Sequence, residues 1–156
     1  MQRFSLRSQL EEASDSASER KAFSILLVED NPADVTLVRE ALEEHGVEGE
    51  LLVATDGEIA LRIVQDIEAD VTSCPDLFIV DLNIPKKPGR EVAKRVRQSE
   101  RCKQSPLVIL SSSDSLRDKE DARRLGVSEY LRKPSRLDEF LGLGAIFKAI
   151  LGRSAD

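Results

Sequence analysis

The sequence predicts an α/β fold, a doubly wound parallel sheet of five strands with helices on both faces. Three observations carry that expectation. Short apolar runs recur along the chain: 23–28 (Phe-Ser-Ile-Leu-Leu-Val), 77–80 (Leu-Phe-Ile-Val), 107–110 (Leu-Val-Ile-Leu) and 130–132 (Tyr-Leu-Arg). Those at 77–80 and 107–110 are apolar throughout, and so is 25–28 after Ser24, instead of alternating, as strands buried on both faces must be. Stretches with helical apolar spacing separate them, which is the signature of βαβ units with right-handed crossovers. The third observation is chemical: each run stops at a hydrophilic residue, first Glu29 and Asp30, then Asp81, Ser111 and Lys133.

Residues 1–22 are rich in Ser, Glu and Arg, and Phe4, Leu6 and Leu10 offer weak apolar periodicity. They read as a flexible or loosely helical tail, with a short docking arm as the alternative. The folded domain is expected over 23–153. After the first strand, Asn31-Pro32 supplies an N-cap and an N1 proline, and Val35, Val38, Ala41 and Leu42 form a helical stripe that Gly46 ends. Leu51 to Ala54 reads as the next strand. Ala60, Ile63, Val64 and Ile67 mark the second helix, and Val92, Ala93 and Val96 the third. Ser115 to Leu125 is a polar, weakly patterned helix with Gly126 behind it. The last helix covers 137–151, with Leu137, Phe140, Leu141, Phe147 and Leu151 on one face. Leu143, Ile146 and Ile150 fall beside that face, so its apolar arc is wider than one-sided packing requires. Gly142 and Gly144 inside it point to a close approach. These features suggest a homodimer or partner surface at Leu143, Ile146 and Ile150.

The 156 residues make one domain with room for a single core, and a formal net charge of −6 disfavours binding to nucleic acid or to an anionic membrane. No apolar stretch approaches the roughly 18–20 residues that span a bilayer, and the amino terminus has no secretory apolar core. A cytoplasmic protein is expected. Cys74 and Cys102 each precede a strand and would be neighbours at the bottom of the sheet; in a reducing compartment they are expected to be thiols. His45, in the last turn of its helix, reads as structural. Lys86, Lys87 and Arg90 read as a solvated loop.

In a parallel sheet the strand carboxyl ends converge on one crevice. Three carboxylates, a hydroxyl and an ammonium would therefore meet there. Two like charges about 4 Å apart repel by roughly 4 kcal/mol at an effective dielectric near 20. Glu29, Asp30 and Asp81 thus require a cation among them, and an all-oxygen set suits Mg²⁺. Lys133 would supply a point charge to a phosphoryl group, and Ser111 a hydroxyl donor.

The segments Val28-Glu29-Asp30-Asn31 and Asp81-Leu82-Asn83-Ile84-Pro85, with Ser111 and Lys133-Pro134, resemble the receiver domain of two-component response regulators. The resemblance covers roughly Phe23 to Leu151. It implies a flavodoxin-like sheet of order 2-1-3-4-5 and a phosphoryl group accepted on Asp81 from a histidine kinase in a Mg²⁺-dependent step. Glu29, Asp30, Asp81 and the backbone carbonyl of Asn83 would hold the ion. Ser111 and Lys133 would contact the phosphoryl group, Ser111 and Tyr130 would form the switch pair, and the bond before Pro134 would be cis. Such a protein is no enzyme beyond its own phosphorylation and autodephosphorylation. It signals by protein–protein contact, here as a stand-alone domain, or passes its phosphoryl group to a phosphotransfer protein. The stretch 83–92 resembles the small regulators that serve bacterial phytochrome kinases, except that Pro88 stands where these commonly carry Asp.

Two other classes compete. A small phosphatase or phosphotransferase with Asp81 as nucleophile would place a second acid two residues later to protonate the leaving group. That position is Asn83. A phosphorylation-independent interaction module would have no need of the complete acid, hydroxyl and lysine set.

Overall fold

Ile25, Leu26, Leu27 and Val28 are all buried, because the strand that carries them lies in the middle of the sheet with helices on both sides. This computed structural model describes residues 1–7 and 21–154. Its strands are β1 (Gln2–Leu6), β2 (Ala22–Val28), β3 (Glu48–Ala54), β4 (Leu77–Val80), β5 (Leu107–Ser111) and β6 (Glu129–Arg132). Its helices are α1 (Pro32–Glu44), α2 (Gly57–Glu68), α3 (Gly89–Gln98), α4 (Leu116–Arg124) and α5 (Leu137–Ser154). The sheet order is β1-β3-β2-β4-β5-β6. The five expected strands, β2 to β6, pair in parallel and in the expected order.

The sixth strand corrects the reading of the amino-terminal tail. Gln2–Leu6 pairs antiparallel with β3, Phe4 opposite Leu51 and Leu6 opposite Gly49. Phe4 and Leu6 are two residues apart, the strand period, so both fall on one face. Leu6 is buried among the core residues that α1 and α5 cover, and Phe4 packs against them beneath the Arg39 guanidinium. Arg3 pairs with Glu50 at 2.8 Å, and the Arg7 N–H donates to Glu43. Leu10 lies outside the described residues.

Two apolar layers sandwich the sheet. Alternate residues of β2, Ile25 and Leu27, face α1 and α5, while Leu26 and Val28 face α2 and α3. Asn31 caps α1 by accepting from the Ala33 and Asp34 N–H groups, and Asp56 caps α2 through the Ile59 N–H. Helix α4 is the most polar and buries only Ala122.

The last helix is also a correction. Leu143 and Ile150 are buried in the protein's own core, and Ile146 is half-buried against the same cluster. The wide apolar arc is covered on one side by the sheet and on the other by α1. At Gly144 a Cβ would collide with the Ala41 carbonyl and His45 Nδ1 of α1, so the close approach is intramolecular. Leu143 and Ile150 are therefore packing residues of the core, and Ile146 packs against the same cluster with part of its side chain exposed. His45 Nδ1 lies 3.0 Å from the Ala41 carbonyl and closes the end of α1.

The two cysteines depart from expectation as well. Cys74 and Cys102 are joined as a disulfide, their Cα atoms 5.9 Å apart. Pairing of β4 with β5 brings the loops that lead into these strands side by side.

Candidate functional site

The sheet ladder continues one residue beyond the strand ends, and that continuation builds the pocket. The Glu29 N–H donates to the Ala54 carbonyl, the Asp81 N–H to that of Val28 and the Lys133 N–H to that of Ser111. Each hydrophilic residue is therefore held in register by backbone bonds while its side chain projects over the carboxyl edge. Glu29 is 2% exposed, Asp81 5% and Ser111 fully buried, whereas Asp30 is exposed at the rim.

Lys133 is the hub. Its Nζ lies 2.5 Å from Glu29 Oε1, 2.7 Å from Asp81 Oδ2 and 2.8 Å from Asp34 Oδ2. The second oxygens are also engaged. Glu29 Oε2 accepts from the Asp30 and Asn31 N–H groups, and Asp81 Oδ1 accepts from the Asn83 N–H at 3.1 Å. Burial lifts the Glu29 carboxyl to about 7; Asp81 adds to the rise, and the bonds from Lys133 and Asn31 offset only part of it. Burial pulls the Lys133 ammonium down, but its bonds to Asp34, Asp81 and Glu29 outweigh that and hold it above the ordinary lysine value.

Carboxylate oxygens of Glu29, Asp30 and Asp81 all lie within 4.8 Å of one another. That spacing and all-oxygen chemistry fit a hard divalent cation, and three carboxylates facing one ammonium leave negative charge for it to neutralise. The Asn83 backbone stands at the start of the loop beside Asp81. The loop is pinned to α2: the Gly57 N–H donates to the Pro85 carbonyl at 3.1 Å, and Lys86 Nζ lies 3.5 Å from Asp56 and 3.6 Å from Glu58. Lys86 is thus paired, not merely solvated, and it adopts φ 72°. Pro88 serves as the N-cap of α3, its carbonyl accepting from Glu91 and Val92. Its missing N–H is no loss in that position.

On the far side, Ser111 Oγ accepts from the Ser113 N–H at 3.2 Å, and the Tyr130 hydroxyl donates to the Ser113 carbonyl at 2.9 Å. Ser113 Oγ in turn donates to Asp118 at 2.5 Å, at the start of α4. The Ser111–Tyr130 pair is thus connected through Ser113, which the sequence reading passed over. The bond before Pro134 is a correction: it is trans, and no cis peptide occurs among the described residues. The trans form is the ordinary preference, and with it Lys133 already reaches all three carboxylates. The other residue missed was Asp34. Asp34 lies in the first turn of α1, where an acid is explained by the helix dipole alone, so no local signal marked it.

A doubly wound sheet that gathers three acids, a buried hydroxyl and a lysine at its carboxyl edge defines a phosphoryl-transfer signalling domain of the receiver class. The family model described as the response regulator receiver domain matches residues 25–143, and the chain belongs to that family. It is 36% identical over 129 residues to the response regulator Rcp1 of Synechocystis sp., covering 82% of this chain and 84% of Rcp1. The crystal structure of the phosphorylated cyanobacterial phytochrome response regulator RcpA superposes with a TM-score of 0.78 at 33% identity, covering 87% of this chain and 98% of RcpA. The Mn²⁺-bound form of Rcp1 gives 0.70 at 35% identity, over 83% and 90% of the two chains. Among the described residues no helix is long and apolar enough to cross a membrane.

Proposed function

We propose that this protein is a response regulator, similar over most of its length to Rcp1 and RcpA, that accepts a phosphoryl group on Asp81 from a histidine kinase. The observation that carries the reading is the position of Asp81: a buried carboxylate 2.7 Å from Lys133 and converging with Glu29 and Asp30. One Asp81 oxygen attacks the phosphorus of a phosphohistidine; the P–O bond forms as the P–N bond breaks, and the imidazole leaves with a proton. Glu29, Asp30 and Asp81, with the Asn83 carbonyl, would hold Mg²⁺, which when bound would supply charge neutralisation for the phosphoryl oxygens. Lys133 and the Ser111 hydroxyl donate to those oxygens. Recruitment of the Ser111 hydroxyl as a donor re-aims the oxygen that accepts from the Ser113 N–H, and the change passes through Ser113 to Tyr130 and α4.

The likeness to RcpA, a cyanobacterial phytochrome response regulator, supports a bacterial phytochrome as the kinase, and we take protein–protein contact or onward transfer to a phosphotransfer protein as the output. We place the protein in the cytoplasm. The test is Mg²⁺-dependent labelling with acetyl phosphate or a cognate kinase. Asp81→Asn is expected to abolish it, and undiminished labelling of that variant would remove Asp81 as the acceptor.

A further inference from the structure

The Lys133 ammonium has three N–H donors and three carboxylate partners, Glu29, Asp34 and Asp81, so every donor is spent before any phosphoryl group arrives. One of these bonds must be surrendered for Lys133 to reach a phosphoryl oxygen on Asp81. Glu29 and Asp81 belong to the convergent acidic cluster, and a divalent ion there takes up part of their charge. Asp34 is not a member of that cluster. It is tied to the site through the lysine, from a fixed position: its N–H is bonded to the Asn31 cap, and its side chain is 19% exposed at the first turn of α1. With an ion bound, Asp34 is the partner whose full charge still competes for the lysine.

We infer that Asp34 is a positioning residue for Lys133, holding one of its donors in the unphosphorylated protein and yielding that donor to the phosphoryl group when Asp81 is occupied. This inference rests on the proposed role of Asp81. It makes Asp34 a brake: it keeps the lysine at the α1 side of the pocket and places an additional anion beside the incoming phosphoryl group. A protein with a neutral residue there offers a free donor and meets less repulsion.

The probe is beryllofluoride, a phosphoryl mimic, titrated calorimetrically at saturating Mg²⁺ and paired with labelling by acetyl phosphate. Asp34→Asn is expected to tighten beryllofluoride binding at least about threefold, the order of one partly exposed ion pair, and to speed labelling in the same direction. Asp34→Ser is expected to match it, which guards against a folding defect peculiar to one variant. Asp34→Glu, which keeps the charge, is expected to stay near wild type. The decisive arm is the cycle with Lys133→Ala: the Asp34→Asn gain shrinks in that background to what the removed repulsion alone gives, because the larger part acts through the lysine. An unchanged affinity in Asp34→Asn, or an equal gain without Lys133, overturns the inference. Failure of the underlying reading is separate: it shows as beryllofluoride binding that survives Asp81→Asn.

Discussion

Lys133 Nζ lies 2.7 Å from Asp81 Oδ2, although 52 residues separate them in the chain. The contact exists because β4 and β6 flank β5 in one parallel sheet, so both residues leave the same edge. Four carboxylates within reach of one ammonium and one divalent ion make the pocket electrostatically dependent on both cations. Lys133→Ala leaves Glu29 and Asp81 buried without their partner. We expect the ion-free variant to be less stable by about 3 kcal/mol in chemical denaturation, as for a broken buried pair. Saturating Mg²⁺ should recover part of that loss, and labelling should slow by at least about tenfold.

Glu29 sets the pH response. Its carboxyl is raised in the folded protein from 4.5 to about 7, so between those values the native state binds more protons than the unfolded chain. Stability of the ion-free protein should therefore fall as pH rises from about 4.5 to 7 and then level off at higher pH. Mg²⁺ competes with the same proton, so its affinity should rise with pH over the same window. Calorimetric Mg²⁺ titrations from pH 5.5 to 8 would check this, with Glu29→Gln expected to flatten the dependence.

Helix α5 packs on α1 through Gly144. Gly144→Val should cost more than about 2 kcal/mol of folding stability, because the new atoms meet the Ala41 backbone carbonyl, which cannot swing aside, as well as the His45 ring. Leu143→Ala should cost about 2–5 kcal/mol as a core cavity. Sedimentation of Leu143→Ala should match wild type, since the side chain serves the core; a selective loss of assembly without loss of stability would contradict that assignment.

Removal of residues 1–7 strips the outer pairing from β3 and exposes the apolar surface that Leu6 covers. We expect a loss of about 2 kcal/mol, the order of one large buried side chain. Hydrogen exchange should report faster exchange along the outer edge of β3, with phosphorylation by acetyl phosphate retained.

The core of the fold and most of the pocket were legible because they depend on local pattern. Unbroken apolar runs mark strands buried on both faces, and a polar residue at the end of such a run has one crevice to enter. That reasoning reached Glu29, Asp30, Asp81, Ser111 and Lys133 with no knowledge of distances. It failed where the deciding partner is remote. Phe4 and Leu6 carry strand spacing, but only the free edge of β3 gives them something to pair with. The apolar excess of α5 looked unsatisfied until α1 covered it. Asp34 looked like an ordinary first-turn acid until Lys133, 99 residues away, donated to it. Cys74 and Cys102 became neighbours only through the pairing of β4 with β5. Periodicity and strand-end chemistry are properties of a short segment, so the chain alone determined a receiver-like sheet and its acidic edge. Which donor each acceptor meets depends on how distant segments pack, and tertiary structure alone decided that.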